Sequence, residues 1–175
     1  LRHRDQTGQG QYIDLALVDT QIAWLINQGS SHLLTGQVPP RRGNAHPSIV
    51  PYEVFETLDG HVVIAVGNDG QFVRFATWMG QAQWADDPKY ATNPARLKNR
   101  ETLVPAIRPY IKTITTAQVI VGLEGIEVPG GPVNNLAEVV DSDQVKARHM
   151  RLDLVSDHAA GGSIPVIGNP LKFSK

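Results

Sequence analysis

The chain has 175 residues, a formal net charge of −1 and charges of both signs interspersed, so it carries no electrostatic footprint for nucleic acid or an anionic membrane surface. It contains no cysteine, which excludes disulfides and thiolate metal sites. No apolar run approaches the roughly 18 to 20 residues that cross a bilayer, and the cytoplasm is the default compartment.

Leu1–Gln9 is polar and charged, as the tail of a preceding helix would be. Tyr12–Leu17 has strand character. Val18, Ile22, Leu25, Ile26, Gly29 and Leu33 then fall on one stripe, which predicts a single amphipathic helix closed by Gly36, with Pro39-Pro40 forbidding its continuation. A polar loop from Arg41 to Pro51 leads into two β-patterned runs, Tyr52–Thr57 and His61–Gly67. Asp59-Gly60 lies between them, and both residues tolerate the positive φ of a tight hairpin. Asn68 is the expected cap of a helix over Asp69–Met79, with Gln71 three residues on. Phe72, Phe75, Ala76 and Met79 form its apolar stripe, and Gly80 ends it.

Gln81–Asn93 reads as a loop holding Trp84, and Asn93 as a cap with Pro94 at the first helical position. Pro105 and Pro109 predict a break or kink before Ile111, because an interior proline costs about 3 kcal/mol. Thr116–Gly125 reads as a helix and Val128–Val133 as an irregular turn rich in glycine and proline. Short helices are expected at Leu136–Val140 and Asp143–Met150, then paired strands at Leu152–Val155 and Ser163–Ile167. Helices alternating with an antiparallel hairpin predict a mixed α/β (α+β) domain rather than a doubly wound sheet.

The six histidines show neither H-x-H nor H-E-x-x-H spacing, so no metal site is expected. Gly8-Gln9-Gly10 precedes a strand-like run where a nucleotide fingerprint must follow one. Gly130-Gly131-Pro132 lacks the Lys-Ser/Thr of a phosphate cradle and reads as a turn. Trp24, Trp78 and Trp84 read as packing residues, and the stripe from Val18 to Leu33 as core or a seam between subunits. Two places could carry chemistry. The loop could present Gly43, Asn44, Ala45 and His46 as donors to a carboxylate or oxyanion, with Arg41 and Arg42 meeting an acid; the plainer reading is a polar linker with a surface histidine. Asn68-Asp69 is either a capping pair contributing about 1 kcal/mol or a site with Asp69 as acid/base.

A wider pattern runs through the whole chain. Gly43-Asn44-Ala45-His46-Pro47-Ser48-Ile49, Pro51-Tyr52 with Phe55, Asp59-Gly60, Ala65-Val66-Gly67-Asn68 and Gln71-Phe72 occur in that order. They are flanked by Gly8-Gln9-Gly10-Gln11 with Asp14 and Asp19, by Asn93-Pro94-Ala95-Arg96 with Asn99-Arg100, and by Val128-Pro129 with Gly131-Pro132-Val133-Asn134. The ordered set resembles the class III CoA-transferases, the CaiB–BaiF family, which also includes α-methylacyl-CoA racemases. The resemblance implies an interlaced homodimer. Residues 1–40 would end a large domain and its linker helix, 41–135 would form a small domain, and 136–175 would return towards the large one.

The resemblance also implies transfer of CoA between an acyl-CoA and a carboxylic acid, through an aspartyl–acyl anhydride and an aspartyl-CoA thioester. CoA thioester is then a substrate, and no tightly bound cofactor or metal is implied. The family's nucleophilic aspartate falls ahead of the Gly-x-Gly-Gln segment and so before Leu1, while Asp14 and Asp19 match positions that are not nucleophiles. With Leu1 in place of Met, a piece of a longer polypeptide is expected, inactive alone. Arg42, Gly43, Asn44, Ala45 and His46 take the place of the loop that covers the thioester, and Asp69 lies nearest the racemase glutamate. A racemase or epimerase of the same family, or a non-catalytic interaction domain, are the alternatives.

Overall fold

The computed structural model describes residues 1–174, arranged as two compact units, Leu1–Gly43 and Asn44–Lys175. In the first unit lie α1 (Arg2–Thr7), α2 (Leu17–Ala23) and α3 (Ile26–Thr35), the last ending at Gly36 in the left-handed conformation, φ 70°. The single helix expected over the apolar stripe is thus two. The amides of Trp24 and Leu25 bond back three residues, to Gln21 and Ile22, which tightens the turn and breaks the i−4 ladder. Tyr12–Leu17 does not form a strand; among the described residues no segment pairs with its main chain. Val18, Ile22, Leu25, Ile26 and Leu33 are all exposed, and Trp24 is 78% exposed, so neither stripe nor Trp24 packs a core within the unit.

The second unit is built on an antiparallel sheet of β1 (Tyr52–Glu56), β2 (His61–Ala65) and β3 (Gly130–Pro132), in that spatial order. Tyr52 pairs with Ala65 and Glu56 with His61. Alternation puts Phe55, Val62 and Ile64 on one face, and Val66 continues that row. Against them pack α4 (Asp69–Trp78), α6 (Arg100–Ile111) and α7 (Thr116–Gly125), through Phe72, Phe75, Leu103, Ile107, Ile111, Val119 and Leu123. Each such side chain contributes roughly 1.5–3 kcal/mol when fully buried. Trp78 and Trp84 pack as expected, Trp78 edge-on to Tyr110 and Trp84 edge-on to Tyr90.

The hairpin between β1 and β2 forms, but its turn is wider than a two-residue one. The Thr57 amide donates to Gly60 O, and neither Asp59 nor Gly60 has positive φ. Asp59 serves a different purpose: its Oδ1 accepts from the amide and hydroxyl of Thr116 at 2.7 and 3.0 Å, tying the turn to the start of α7. These bonds to Thr116 hold its carboxyl below the ordinary carboxylate range.

Three further expectations are corrected. Val128–Val133 is not an irregular turn, because Gly130-Gly131-Pro132 is an edge strand paired to Val62–Ile64. A Cβ on Gly130 would stand 2.4 Å from Leu123 Cδ1 and 2.9 Å from Val63 O, so only glycine lets β3 lie this close. Pro105 and Pro109 do not break α6. Both are exposed, on the side where a carbonyl left without a donor can be solvated, while Leu103, Val104, Ile107 and Ile111 bury the opposite face. The cap of α5 (Asn93–Lys98) is Thr92, one residue earlier than expected, which frees the Asn93 side chain. The C-terminal part holds α8 (Leu136–Asp141), α9 (Asp143–Ala147) and a hairpin of β4 (Arg151–Val155) with β5 (Ser163–Ile167). Among the described residues no helix is long and apolar enough to cross a membrane.

Gly130→Ala is expected to destabilise the second unit by about 1–3 kcal/mol, the usual cost of overpacking, read from a urea unfolding midpoint. Asp59 has a depressed carboxyl pKa in the fold, so its stabilisation is complete above the unfolded value of about 4 and is lost as pH falls through the folded one. Asp59→Asn is therefore expected to flatten the acid limb of the stability profile below about pH 4; an unchanged limb would show that the Thr116 bonds contribute nothing.

Candidate functional site

Asn93, Arg96 and Arg100 follow one another at spacings of three and four, which places them on one side of the α5–α6 stretch. All three reach the same loop. Arg96 is wholly buried, and its guanidinium is satisfied on several sides. Nε donates to Val50 O at 2.8 Å, Nη1 to Tyr90 O at 2.9 Å and to Ala91 O at 3.3 Å, and Nη2 to Asp69 Oδ1 at 2.8 Å. The Phe72 ring lies 4.3 Å from the guanidinium carbon. Burial pulls the pKa of Arg96 down from its ordinary value, while the hydrogen bond and charge of Asp69 push it back up.

Asn93 grips the loop at two atoms. Its Nδ2 donates to Ser48 O at 2.8 Å and its Oδ1 accepts from the Val50 amide at 3.2 Å. Arg100 Nη2 donates to His46 O at 2.5 Å. From the strand side, the His46 amide donates to Tyr52 O at 2.9 Å and Asn44 Oδ1 accepts from the Val54 amide at 2.9 Å. The segment leading into the cis Val50–Pro51 bond is therefore held along its length.

His46 is half-buried, its ring stacked on Tyr52 with centroids 5.0 Å apart and 11° between planes. Its Nδ1 accepts from the Ser48 amide at 3.1 Å, so the neutral ring in this arrangement carries its proton on Nε2, as a donor. Among the described residues, the main-chain amides of Asn44 and Ala45 have no acceptor within the chain. The loop can thus offer two amides and one imidazole N–H to an anion.

The sequence-derived residues fall as follows. Asn44, Ala45 and His46 stand together in this loop. Arg41, Arg42 and Gly43 belong to the other compact unit, where all are exposed and Gly43 has φ 62°. The His46 main-chain amide is already spent on Tyr52 O and is not a free donor, which corrects that part of the expectation. Asp69 is half-exposed, and its Oδ1 accepts from both Arg96 Nη2 and the Asn93 amide, each at 2.8 Å. It links to the loop through those two residues. Asn68 caps α4 by accepting from the Gln71 amide at 2.9 Å, while Gln71 Oε1 takes the Gly67 amide at 2.7 Å.

The sequence gives Arg96 and Arg100 no role and Asn93 only that of a helix cap, although all three sit in the Asn-Pro-Ala-Arg and Asn-Arg pairs that carry the resemblance. A cation and an amide at helical spacing signal a ligand or a main chain to hold, but not which segment. Among the described residues, no group of three or more His, Asp or Glu side chains is placed to hold a metal ion.

This fold is shared with a CaiB/BaiF family protein from Brucella suis, of known crystal structure. The two are 39% identical with a TM-score of 0.81, over 99% of this chain and 44% of that one. The sequence matches the family described as CoA-transferase family III over residues 1–175, and the chain belongs to that family. It is similar to the succinate–glutarate CoA-transferase of Agrobacterium fabrum, 41% identical over all of this chain and 43% of that protein. It is also similar to the succinyl-CoA:mesaconate CoA-transferase of Haloarcula hispanica, 35% identical over all of this chain and 43% of that protein. The chain spans 43% of the length of each of these curated relatives.

Arg96→Ala is expected to cost about 3 kcal/mol or more, because it leaves three main-chain carbonyls without a donor, at about 1–3 kcal/mol for each that stays dry, while half-exposed Asp69 can turn to water. Chemical denaturation followed by tryptophan fluorescence checks this; a loss below about 1 kcal/mol would mean water replaces the guanidinium.

Proposed function

We propose that this chain is the later part of a subunit that moves CoA between an acyl-CoA and a carboxylic acid, and that both acids are dicarboxylates. Family membership and the names of the relatives support this: succinate, glutarate and mesaconate each carry two carboxyl groups. One carboxyl enters the thioester and the second needs a cation or a set of N–H donors. The Nε2–H of the His46 ring supplies such a donor. The observation that carries the reading is the pinned loop with unspent amides at Asn44 and Ala45 and a donor Nε2 on His46.

The chemistry follows the family pattern. An aspartate outside these residues attacks the thioester carbonyl and expels CoA thiolate, leaving a mixed anhydride. The thiolate then attacks the aspartyl carbonyl, which releases the donor acid and leaves an aspartyl-CoA thioester. The acceptor carboxylate attacks that thioester, re-forming an anhydride, and thiolate returns to the acceptor's acyl carbon while aspartate leaves. The unspent amides of Asn44 and Ala45 stabilise the oxyanions. In this reading residues 41–135 form the small domain and two full subunits make an interlaced homodimer. The exposed stripe on α2–α3, and a cleft of about 480 Å³ lined by Val139, Val140, Val145, Met150, Val166 and Ile167, are apolar surfaces that a complete assembly would cover.

Racemisation with Asp69 as the acid/base is the alternative. The engagement of Asp69 Oδ1 with Arg96 and the Asn93 amide weighs against it, since that oxygen is already committed to holding those two residues in place. The full-length protein, incubated with succinyl-CoA and a panel of mono- and dicarboxylic acids, is expected to yield new dicarboxyl-CoA thioesters, whereas residues 1–175 alone yield none. Exchange of the α-proton for deuterium without CoA transfer would replace this reading with the racemase, and turnover by residues 1–175 alone would sink the placement of the nucleophile.

A further inference from the structure

We infer that Asn93, Arg96 and Arg100 are positioning residues for CoA transfer, a three-point clamp that fixes the main chain of the 44–50 loop so that its free donors face the reacting acid. The inference rests on the function proposed above and goes beyond it by assigning control of the loop to residues outside it. The carbonyls of His46, Ser48 and Val50, at alternate positions, each take a donor from a different clamp residue: Arg100 at 2.5 Å, Asn93 at 2.8 Å and Arg96 at 2.8 Å. Every second carbonyl is therefore turned towards the α5–α6 stretch. Asp69 belongs to the same device, since its Oδ1 braces Arg96 and the Asn93 amide together.

The consequence is geometric. Fixing alternate carbonyls sets the orientation of the peptide planes between them, and with it the direction of the Ser48 amide that holds the His46 ring. The donors at Asn44 and Ala45 lie two residues and one residue ahead of the first clamped carbonyl, where the His46 amide on Tyr52 O and the Asn44 side chain on the Val54 amide carry the clamp's hold back to them, and the His46 ring is braced by Ser48 and Tyr52. A displacement of about 1 Å at such donors can cost a hundredfold in rate, because they stabilise charge only where it develops. Arg96 is wholly buried and its loss endangers the fold, so Asn93 and Arg100, half-buried at the loop's edge, are the informative positions.

The test compares Asn93→Ala, Arg100→Ala and Arg100→Lys in the full-length protein, using thermal unfolding, site-resolved amide hydrogen exchange and steady-state CoA transfer from succinyl-CoA to glutarate. Asn93→Ala should speed exchange at the Val50 amide, and Arg100→Ala at His46 and Ser48, with little change in Tm. Each should lower kcat about tenfold to a hundredfold with a smaller change in KM for succinyl-CoA, the mark of lost transition-state alignment. Arg100→Lys, which keeps a charged donor for His46 O, should recover most of both readouts. Faster exchange with unchanged kcat overturns the inference, since the clamp would then be structural only; so does a fall in kcat with no change in exchange. A wild-type protein that transfers no CoA to any dicarboxylate, whatever its exchange, removes the underlying function instead, so the two failures are distinguishable.

Discussion

A wholly buried guanidinium is the constraint on which this unit depends. Taking the Arg96 cation out of water costs several kcal/mol, and that cost is offset only if its donors find acceptors. Here they do: three main-chain carbonyls, one carboxylate and an aromatic face surround it. Those acceptors come from the loop before β1, the segment before α5 and the first turn of α4. Removing the cation would leave their polar groups unpaired, whereas an apolar replacement would have to repack all three segments at once. Such a group stabilises modestly in sum but selects one arrangement strongly.

The second-strand hairpin shows the same economy at smaller scale. Glu53 lies on the buried face of β1 yet is paired, its Oε1 accepting from Arg108 Nη2 at 2.6 Å, with Arg108 lying over Phe55. Asp59 joins the turn to α7, and Arg74 reaches Ile126 O at 2.6 Å to satisfy the other end of that helix. Polar side chains on this domain are thus mostly spent on main-chain groups at element ends, where helices leave carbonyls and amides unpaired. That frees few polar atoms for chemistry. The amides of Asn44 and Ala45 have not been consumed in this way.

The family resemblance implies a mobile cover over the reaction, yet the portion of that loop from Asn44 to Val50 is tied at both sides, by Asn93, Arg96 and Arg100 on one and by Tyr52 and Val54 on the other. In the proposed function the held part supplies fixed donors, whose ordering entropy is lost on folding rather than on binding.

What could be read from the sequence was local. Two runs with period-two burial flanking Asp59-Gly60, an Asn cap with a glutamine three residues on, and apolar residues at helical spacing gave the hairpin, α4, α7 and the terminal hairpin, because each signal acts within a dozen residues. The ordered motifs gave the family. Tertiary structure alone decided the rest. It kept α6 continuous through two prolines, because one face was worth more buried than the lost bonds on the wet face. It made an edge strand of Gly130–Pro132, because β2 had a free edge and glycine could approach it. It left Val18 and Ile22 uncovered and broke their helix at Trp24. And it buried Arg96 against a carbonyl 46 positions away, a choice no local pattern records, since burial of a charge is decided by which distant acceptors the folded chain brings to it.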